Sequence, residues 1–393
     1  MSRLVAIIIS IGICGMCQGL IIPLLALLLE RRGVSALFNG VSTTALFFGV
    51  IIASPFIEHL VRRHGAKRII LASTGVSVLM TLSFALWDNI YAWLFFRLVL
   101  GIALAGLFVA TEIWLNRILT DRNRGRMFAF YGLSIAIGML IGPQGMQLLE
   151  LSEKLPFLFS ALLFLIPFAI TWRVSDAGSE LDPVAKGEEG GLKRWLRIFL
   201  IAPFAMCASL VYGYLDSALN GDFPIYGARI GLSDASISWS LTIFVLGSIM
   251  FQFPLGYLSD RWGRRPALIL ATVIGMLGFV VLPLVSHSFW WMMAALFISG
   301  GALGSFYSLG LASLGDVISR QDIATANVLY TMVYGIGSLI GPSVTGWLIY
   351  GLGKNLFAWS IAGMLFCYAT FGILSLRSVK KTSLQFTQKG REV

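Results

Sequence analysis

The chain has 393 residues, of which 57% are hydrophobic and only 12% charged, with a mean hydropathy of +0.84. A soluble domain is about a quarter charged, so this composition cannot cover a water-facing surface, and the chain reads as an integral membrane protein. The net charge of +10 would suit a nucleic-acid binder, but the basic residues fall in short loops between apolar runs, which excludes that reading.

A membrane-crossing helix needs about 20 apolar residues. Twelve runs qualify: 4–29, 37–60, 69–87, 91–114, 127–149 and 155–172, then 197–220, 236–258, 267–286, 289–313, 325–350 and 355–376. The run 4–29 is too long for a signal-peptide core and lacks a small-residue cleavage site, so it is expected to be an uncleaved first span. Cys14, Cys17, Cys207 and Cys367 all lie inside apolar runs with no charged partner nearby, so they read as small buried residues; neither a disulfide nor a metal site is expected.

The turn after the second run carries Arg62 and Arg63. Arg97 lies inside the fourth run, where an arginine costs several kcal/mol unless paired or hydrated, and so marks a water-filled cavity. Its bland reading is snorkelling, since it sits only about 9 Å from the outer end. Glu112, 15 residues on, is about 22 Å deeper and rotated by about 60°, on the same face but near the cytoplasmic end. The fifth run contains Gly138-Met-Leu-Ile-Gly142-Pro143. Glycines four apart flatten a helix face so that another backbone can approach.

Residues 174–196 hold Asp-Pro, Gly-Gly and mixed charge, and read as a cytoplasmic linker between halves at 1–173 and 197–376. Asp216 and Asn220, four apart on the seventh run, share a face, and Gly213, Gly221 and Pro224 interrupt it as expected beside a transport site. Asp216 is the candidate proton site, because a carboxylate withdrawn from water can pick up and drop a proton. Asp222 reads as a solvated carboxylate at the external surface. Gln18, Gln144, Gln147, Tyr212, Tyr214 and Tyr330 are placed to line a cavity, although each alone is more often a packing residue. Gly-Tyr-Leu-Ser-Asp-Arg-Trp-Gly-Arg-Arg at 256–265 puts four charges in ten residues between two apolar runs and must lie at a water interface. The eleventh run repeats the Gly-Pro pattern as Gly337-Ser-Leu-Ile-Gly341-Pro342, and residues 377–393 form a basic, flexible cytoplasmic tail.

These features recur at a fixed interval. Residues 58–67 are a degraded copy of 256–265, with Gly65 in register with Gly263, and Gly138 through Pro143 falls on Gly337 through Pro342 at an offset of 199. With a cytoplasmic N-terminus, 23 of the 29 lysines and arginines are cytoplasmic and five are external (Arg31, Arg32, Lys154, Arg229, Lys354). That asymmetry orients the chain.

The pattern G-x-x-x-D-R-x-G-R-R resembles the loop between the second and third helices of each half in the major facilitator superfamily. Arg97 with Gly101 is similar to its R-x-x-x-G segment. The Gly-Pro segments resemble the antiporter motif of the drug:proton branch, whose form continues with two glycines where here only Gly145 and Gly346 follow. Glu112-Ile-Trp114-Leu-Asn116 followed by Arg124-Gly125-Arg126 is similar to an uncharacterised branch of small bacterial transporters. The resemblance implies an all-α membrane fold of twelve transmembrane helices in two pseudo-symmetric six-helix halves, in the inner membrane, with a central cavity worked by alternating access. It implies a cytoplasmic gate at Asp260, Arg261 and Arg264, with Arg62, Arg63 and Arg124 in the first half.

Arg62 stands where the family carries aspartate, so Glu112 is expected to supply the missing charge to Arg62, Arg63 or Arg124. Gly138, Gly142, Pro143, Gly337, Gly341 and Pro342 are expected at the interface between halves. Arg97 and Asp216 lie at depths that agree to within about 2 Å, so they are expected to approach when the outer side closes. The first functional reading is proton-coupled export of amphipathic small molecules by a monomer. Uptake or facilitated movement of an organic anion clamped by Arg97 is the second, and lipid flipping or a non-transporting receptor the third. With His59, His64 and His287 all in or near loops, no enzyme site, cofactor or metal is expected; the partners are the substrate, protons and the lipid bilayer.

Overall fold

A computed structural model describes residues 3–119, 124–174, 192–318 and 322–389. Among these residues the chain is helical and has no strand. In hydrocarbon every backbone N–H and C=O must be satisfied within the segment, and a helix does that for an apolar run. The first half comprises α1 (Arg3–Arg31), α2 (Ala36–His64), α3 (Ala66–Leu86), α4 (Ile90–Ile118), α5 (Arg124–Ile141) and α6 (Leu155–Arg173). A 3₁₀ stretch, Gly142–Glu150, extends α5 where Pro143 removes a donor. α7 (Leu192–Ile201) precedes the second half, which comprises α8 (Pro203–Arg229), α9 (Asp234–Trp262), α10 (Arg264–Val285), α11 (Phe289–Gly304) with α12 (Phe306–Gly315), α13 (Ile323–Leu352) and α14 (Leu356–Lys389). Among the described residues eleven helices are long and apolar enough to cross a membrane, and the α7–α8 pair, bent by 93°, makes a twelfth when counted as one span.

The internal repeat is visible in the caps and turns. Ser35 and Ser233, 198 residues apart, each accept a backbone N–H at 3.2 Å, from Phe38 and Ser236, and so start α2 and α9. Gly65 and Gly263 end those same helices at φ 83° and 92°, a left-handed conformation that glycine enters without a Cβ clash. Within the first half α1 packs on α5 and α6, α2 on α4, and α3 on α4 and α6; in the second α8 packs on α13, α9 on α11, and α10 on α11 and α14. The halves meet where α2 lies on α13, α1 on α8, and α5 with its 3₁₀ extension on α9.

Three sequence expectations are corrected. The seventh span is not 197–220 but α8, because Pro203 cannot continue α7 and instead opens a new helix. It runs on through Gly221, Asp222 and Pro224 to Arg229, so Asp222 is inside the bundle and not at the surface. The last helix continues to Lys389 where a flexible tail was expected; no glycine or proline interrupts residues 373–389. Of the linker 174–196, residues 175–191 lie outside the described residues.

Candidate functional site: a cavity between the halves

The turns at Gly65 and Gly263 mark one face of the bundle, called here the basic face. A cavity of about 830 Å³ opens on that face between α5 and the helices α8, α9 and α12. Phe128 and Leu133 of α5 line one wall; Tyr212, Gln252, Phe253 and Tyr307 line the other. Phe253 is 84% exposed, so the apolar groove between α5 and α9 reaches the lipid-facing side as well.

Behind that wall stands a tyrosine cluster. The rings of Tyr212, Tyr307 and Tyr334 lie 5.6–6.0 Å apart pairwise. The Tyr334 hydroxyl donates to Asp216 Oδ2 at 2.8 Å, while Asn220 Nδ2 donates to Asp216 Oδ1 at 3.2 Å and to the Asp216 carbonyl at 2.9 Å. The four-residue spacing on α8 brings Asp216 and Asn220 together, and α13 supplies the third member. Tyr334 was not anticipated; its signal is its position four residues beyond Tyr330, on the same face of α13. Tyr330 itself is buried, and its hydroxyl donates to the Tyr307 carbonyl at 2.9 Å.

Arg97 does not meet Asp216. It is 1% exposed, and its guanidinium donates to the Thr43 hydroxyl at 2.8 Å and to the Ile22 carbonyl at 3.4 Å, both in its own half. The carboxylate whose charge acts on it across the junction is Asp222. The matching depths inferred for the two do not hold, because α8 runs on to Arg229 and leaves Asp216 in mid-helix while Arg97 lies near the outer end of α4; Asp216 turns instead to Tyr334 of α13.

Glu112 is exposed, and its charge acts on Tyr131 of its own half and Tyr307 of the other. Arg62 pairs with Glu58, one turn earlier on α2. Arg63 is exposed, and the side chain of Arg124 lies outside the described residues. Gln18 is half-buried on α1 and makes no hydrogen bond with a described residue. Gln144 bridges the halves instead: its Nε2 donates to Thr242 Oγ1 at 2.7 Å, and Gln147 Nε2 donates to Gln144 Oε1 at 2.6 Å.

On the basic face none of the predicted gate residues whose side chains are described ties one half to the other. Asp260 is exposed at the cavity mouth and has no hydrogen bond or ion pair among the described residues. Arg264 turns to Asp316 at 2.9 Å and to the Ala312 carbonyl, both within its own half, and Arg261 lies over the Tyr257 ring at 4.7 Å. The opposite face is sealed. Arg229 donates to Glu30 at 2.7 Å and Arg31 pairs with Asp234, each pair joining one half to the other. Thr44 of α2 donates to the Leu339 carbonyl of α13 at 2.9 Å.

The Gly-Pro segments pack within the halves, not between them. A Cβ on Gly138 or Gly142 would strike the backbone of α1, and one on Gly337 or Gly341 the backbone of α8. Pro143 follows Gly142 into the 3₁₀ stretch, and the carbonyl of Pro342 is met from the other half by Gly40. The close approach between halves is thus made by Gly40 and by Gly346, which faces Ala36. Gly346 is the glycine that continues the second Gly-Pro segment, whereas Gly40 carries no such signal in the sequence.

Known proteins share this sequence and architecture. The chain is 33% identical over 341 residues, 87% of each chain, to YfkF of Bacillus subtilis, named as an uncharacterised MFS-type transporter. It is 26% identical to the similarly named YcaD of Escherichia fergusonii, over 88% of this chain and 87% of YcaD. Among solved structures, a bacterial homologue of the human lysosomal transporter Spinster, inward-facing and occupied, superposes with a TM-score of 0.75 at 14% identity, covering 95% of this chain and 96% of that one. The nucleoside transporter NupG superposes with a TM-score of 0.72 at 16% identity, covering 95% and 99%. The sequence pattern of the Major Facilitator Superfamily matches residues 7–233 and again 205–391. Two six-helix halves around a cavity, relatives named as transporters and a family pattern that matches each half in turn make one conclusion: this is a membrane transporter of the Major Facilitator Superfamily.

Proposed function

We propose that the protein exports amphipathic small molecules across the inner membrane of a bacterium in exchange for protons, by alternating access. The observation that carries this reading is the cavity itself. It is open on the basic face, sealed on the other, walled by Phe128, Phe253 and the tyrosines Tyr212 and Tyr307, with Asp216 behind that wall held by Tyr334 and Asn220. The basic loops favour a cytoplasmic placement of the open face, with both termini on that side. Substrate enters there or through the groove between α5 and α9, and Asp216 takes up the proton that drives the return. Asp260, Arg261 and Arg264, with Arg62, Arg63 and Arg124, close the basic face in the opposite state. Arg97, turned away from the cavity onto Thr43, is poorly placed to clamp an organic anion here. The exposed apolar rim at Phe253 supports lipid-like substrates as a second reading.

Everted vesicles carrying the protein test the proposal. Adding substrate should dissipate part of an imposed pH gradient, and Asp216→Asn should stop this while substrate still binds. Transport indifferent to a protonophore would replace the antiporter by a facilitator.

A further inference from the structure

Asp222 is 0% exposed, and neither of its carboxylate oxygens accepts a hydrogen bond from a described residue. Buried carboxylates are normally held by several donors, so an orphan of this kind needs a cause. Its neighbour Gly221 is pressed against the other half, where an added Cβ would lie 2.7 Å from Thr43 Cγ2. Thr43 is the residue that accepts from Arg97 at 2.8 Å. Opposite charges therefore face each other from opposite halves at the sealed junction, yet Arg97 is anchored to its own half and makes no hydrogen bond to Asp222. A junction built for a charged pair would bring guanidinium and carboxylate into contact, since that contact is what offsets removing both from water.

Arg97 stands alone as a counter-charge. Of the helices packed against α8, α1 has no charged residue between Leu4 and Glu30, α2 none before Glu58, α9 none between Asp234 and Asp260, and α12 and α13 none at all, while α7, with Lys193, Arg194 and Arg197, precedes the opposite end of α8 from Asp222. α14 has none before Arg377. Tyr214, on α8 itself, is the other titratable group within range of Asp222. The pairs Arg229–Glu30 and Arg31–Asp234 cap the junction at the outer end.

We propose that Asp222 is a proton-binding site that operates the outer gate. When the halves part and water enters, the carboxylate takes a proton from the external side (–COO⁻ + H⁺ → –COOH). The neutral carboxyl lets α8 close on α1 and α2 without stranding an anion. Loss of the proton leaves a buried charge that lacks donors, and the junction reopens toward water. This deepens the proton-coupled reading above by adding a second carboxyl, distinct from Asp216 and nearer the outer end of α8.

The test needs no substrate. Spin labels at Leu37→Cys and Leu352→Cys, on the outer ends of α2 and α13, report the gap in proteoliposomes, with Cys207→Ser and Cys367→Ser as background. The gap should widen as pH rises in the otherwise unaltered protein, stay short at every pH in Asp222→Asn, and keep its pH response in Asp216→Asn. Widening in Asp222→Asn with the unaltered midpoint would overturn the proposal. So would a gap governed by sodium concentration at fixed pH, which would make the ligand a metal cation. Should Asp222→Asn fail to fold, an apolar carbodiimide, which reacts with protonated carboxyls, can be applied to the natural residue. Mass spectrometry should then find Asp222 modified more at low pH, and modification independent of pH would count against the site. A pH-dependent gap without substrate-driven proton movement would sink the export reading alone.

Discussion

Tyr334 donates to Asp216 across the contact between α13 and α8, at 2.8 Å. The bond joins the cavity wall to its one held carboxylate, and it makes Tyr334 a positioning residue. Removing the hydroxyl in Tyr334→Phe should cost about 1–3 kcal/mol at this site, since the acceptor is a carboxylate. The variant should bind substrate but shift the pH profile of transport, whereas a purely structural tyrosine would lower thermal stability and leave that profile in place.

Gly40 and Gly346 are the wedge points of the outer junction. Gly40→Val would drive a side chain into the Pro342 carbonyl, which is backbone and cannot swing aside. The halves should be unable to seal, and external cysteine accessibility at the tips of α2 and α13 should rise. Gly101→Val offers the contrast, because Gly101 meets Leu46 inside one half. Overpacking there should cost about 1–3 kcal/mol of stability and leave accessibility governed by the fold. Equal accessibility in the two variants would contradict the assignment.

The outer ion pairs should matter less than these contacts. Arg229 is 30% and Glu30 15% exposed in their side chains, and a partly exposed pair contributes about 1 kcal/mol or less. Glu30→Gln should therefore open the outer face by a few-fold at most, and the effect should shrink as salt is raised. A tenfold or salt-independent change, measured by spin-label distances, would mean that the pair is more than a clasp.

Asp260 makes no described contact in this conformation, so Asp260→Asn should leave thermal stability of the state open on the basic face within about 0.5 kcal/mol. If Asp260 latches the opposite state, transport should nonetheless fall to background. Normal transport by the variant would remove the latch.

The twelve spans, their division into two halves and the repeat between them were legible in the sequence. Apolar run length and charged turns are local properties, and in a bilayer they leave a segment little choice but a helix. The turn glycines Gly65 and Gly263 and the caps Ser35 and Ser233 are legible for the same reason. Which charges meet was not. Depth along a helix follows from 1.5 Å per residue only when its ends are known; Arg97 and Asp216 were put at similar depth because the seventh span was ended at 220, and α8 runs on to Arg229, while rotation depends on how each helix packs. α13 claims Asp216 through Tyr334, and α2 claims Arg97 through Thr43. Asp222 looked like a loop residue because Gly221 and Pro224 flank it, and only the closure of α2 and α13 over α8 carries the helix past them. The Gly-Pro segments were visible as close-packing surfaces, while their partners, α1 and α8, and the true wedge at Gly40 and Gly346 were settled by tertiary contacts. A helix's own sequence dictates which face can be approached; the neighbour that approaches it is decided by the rest of the bundle.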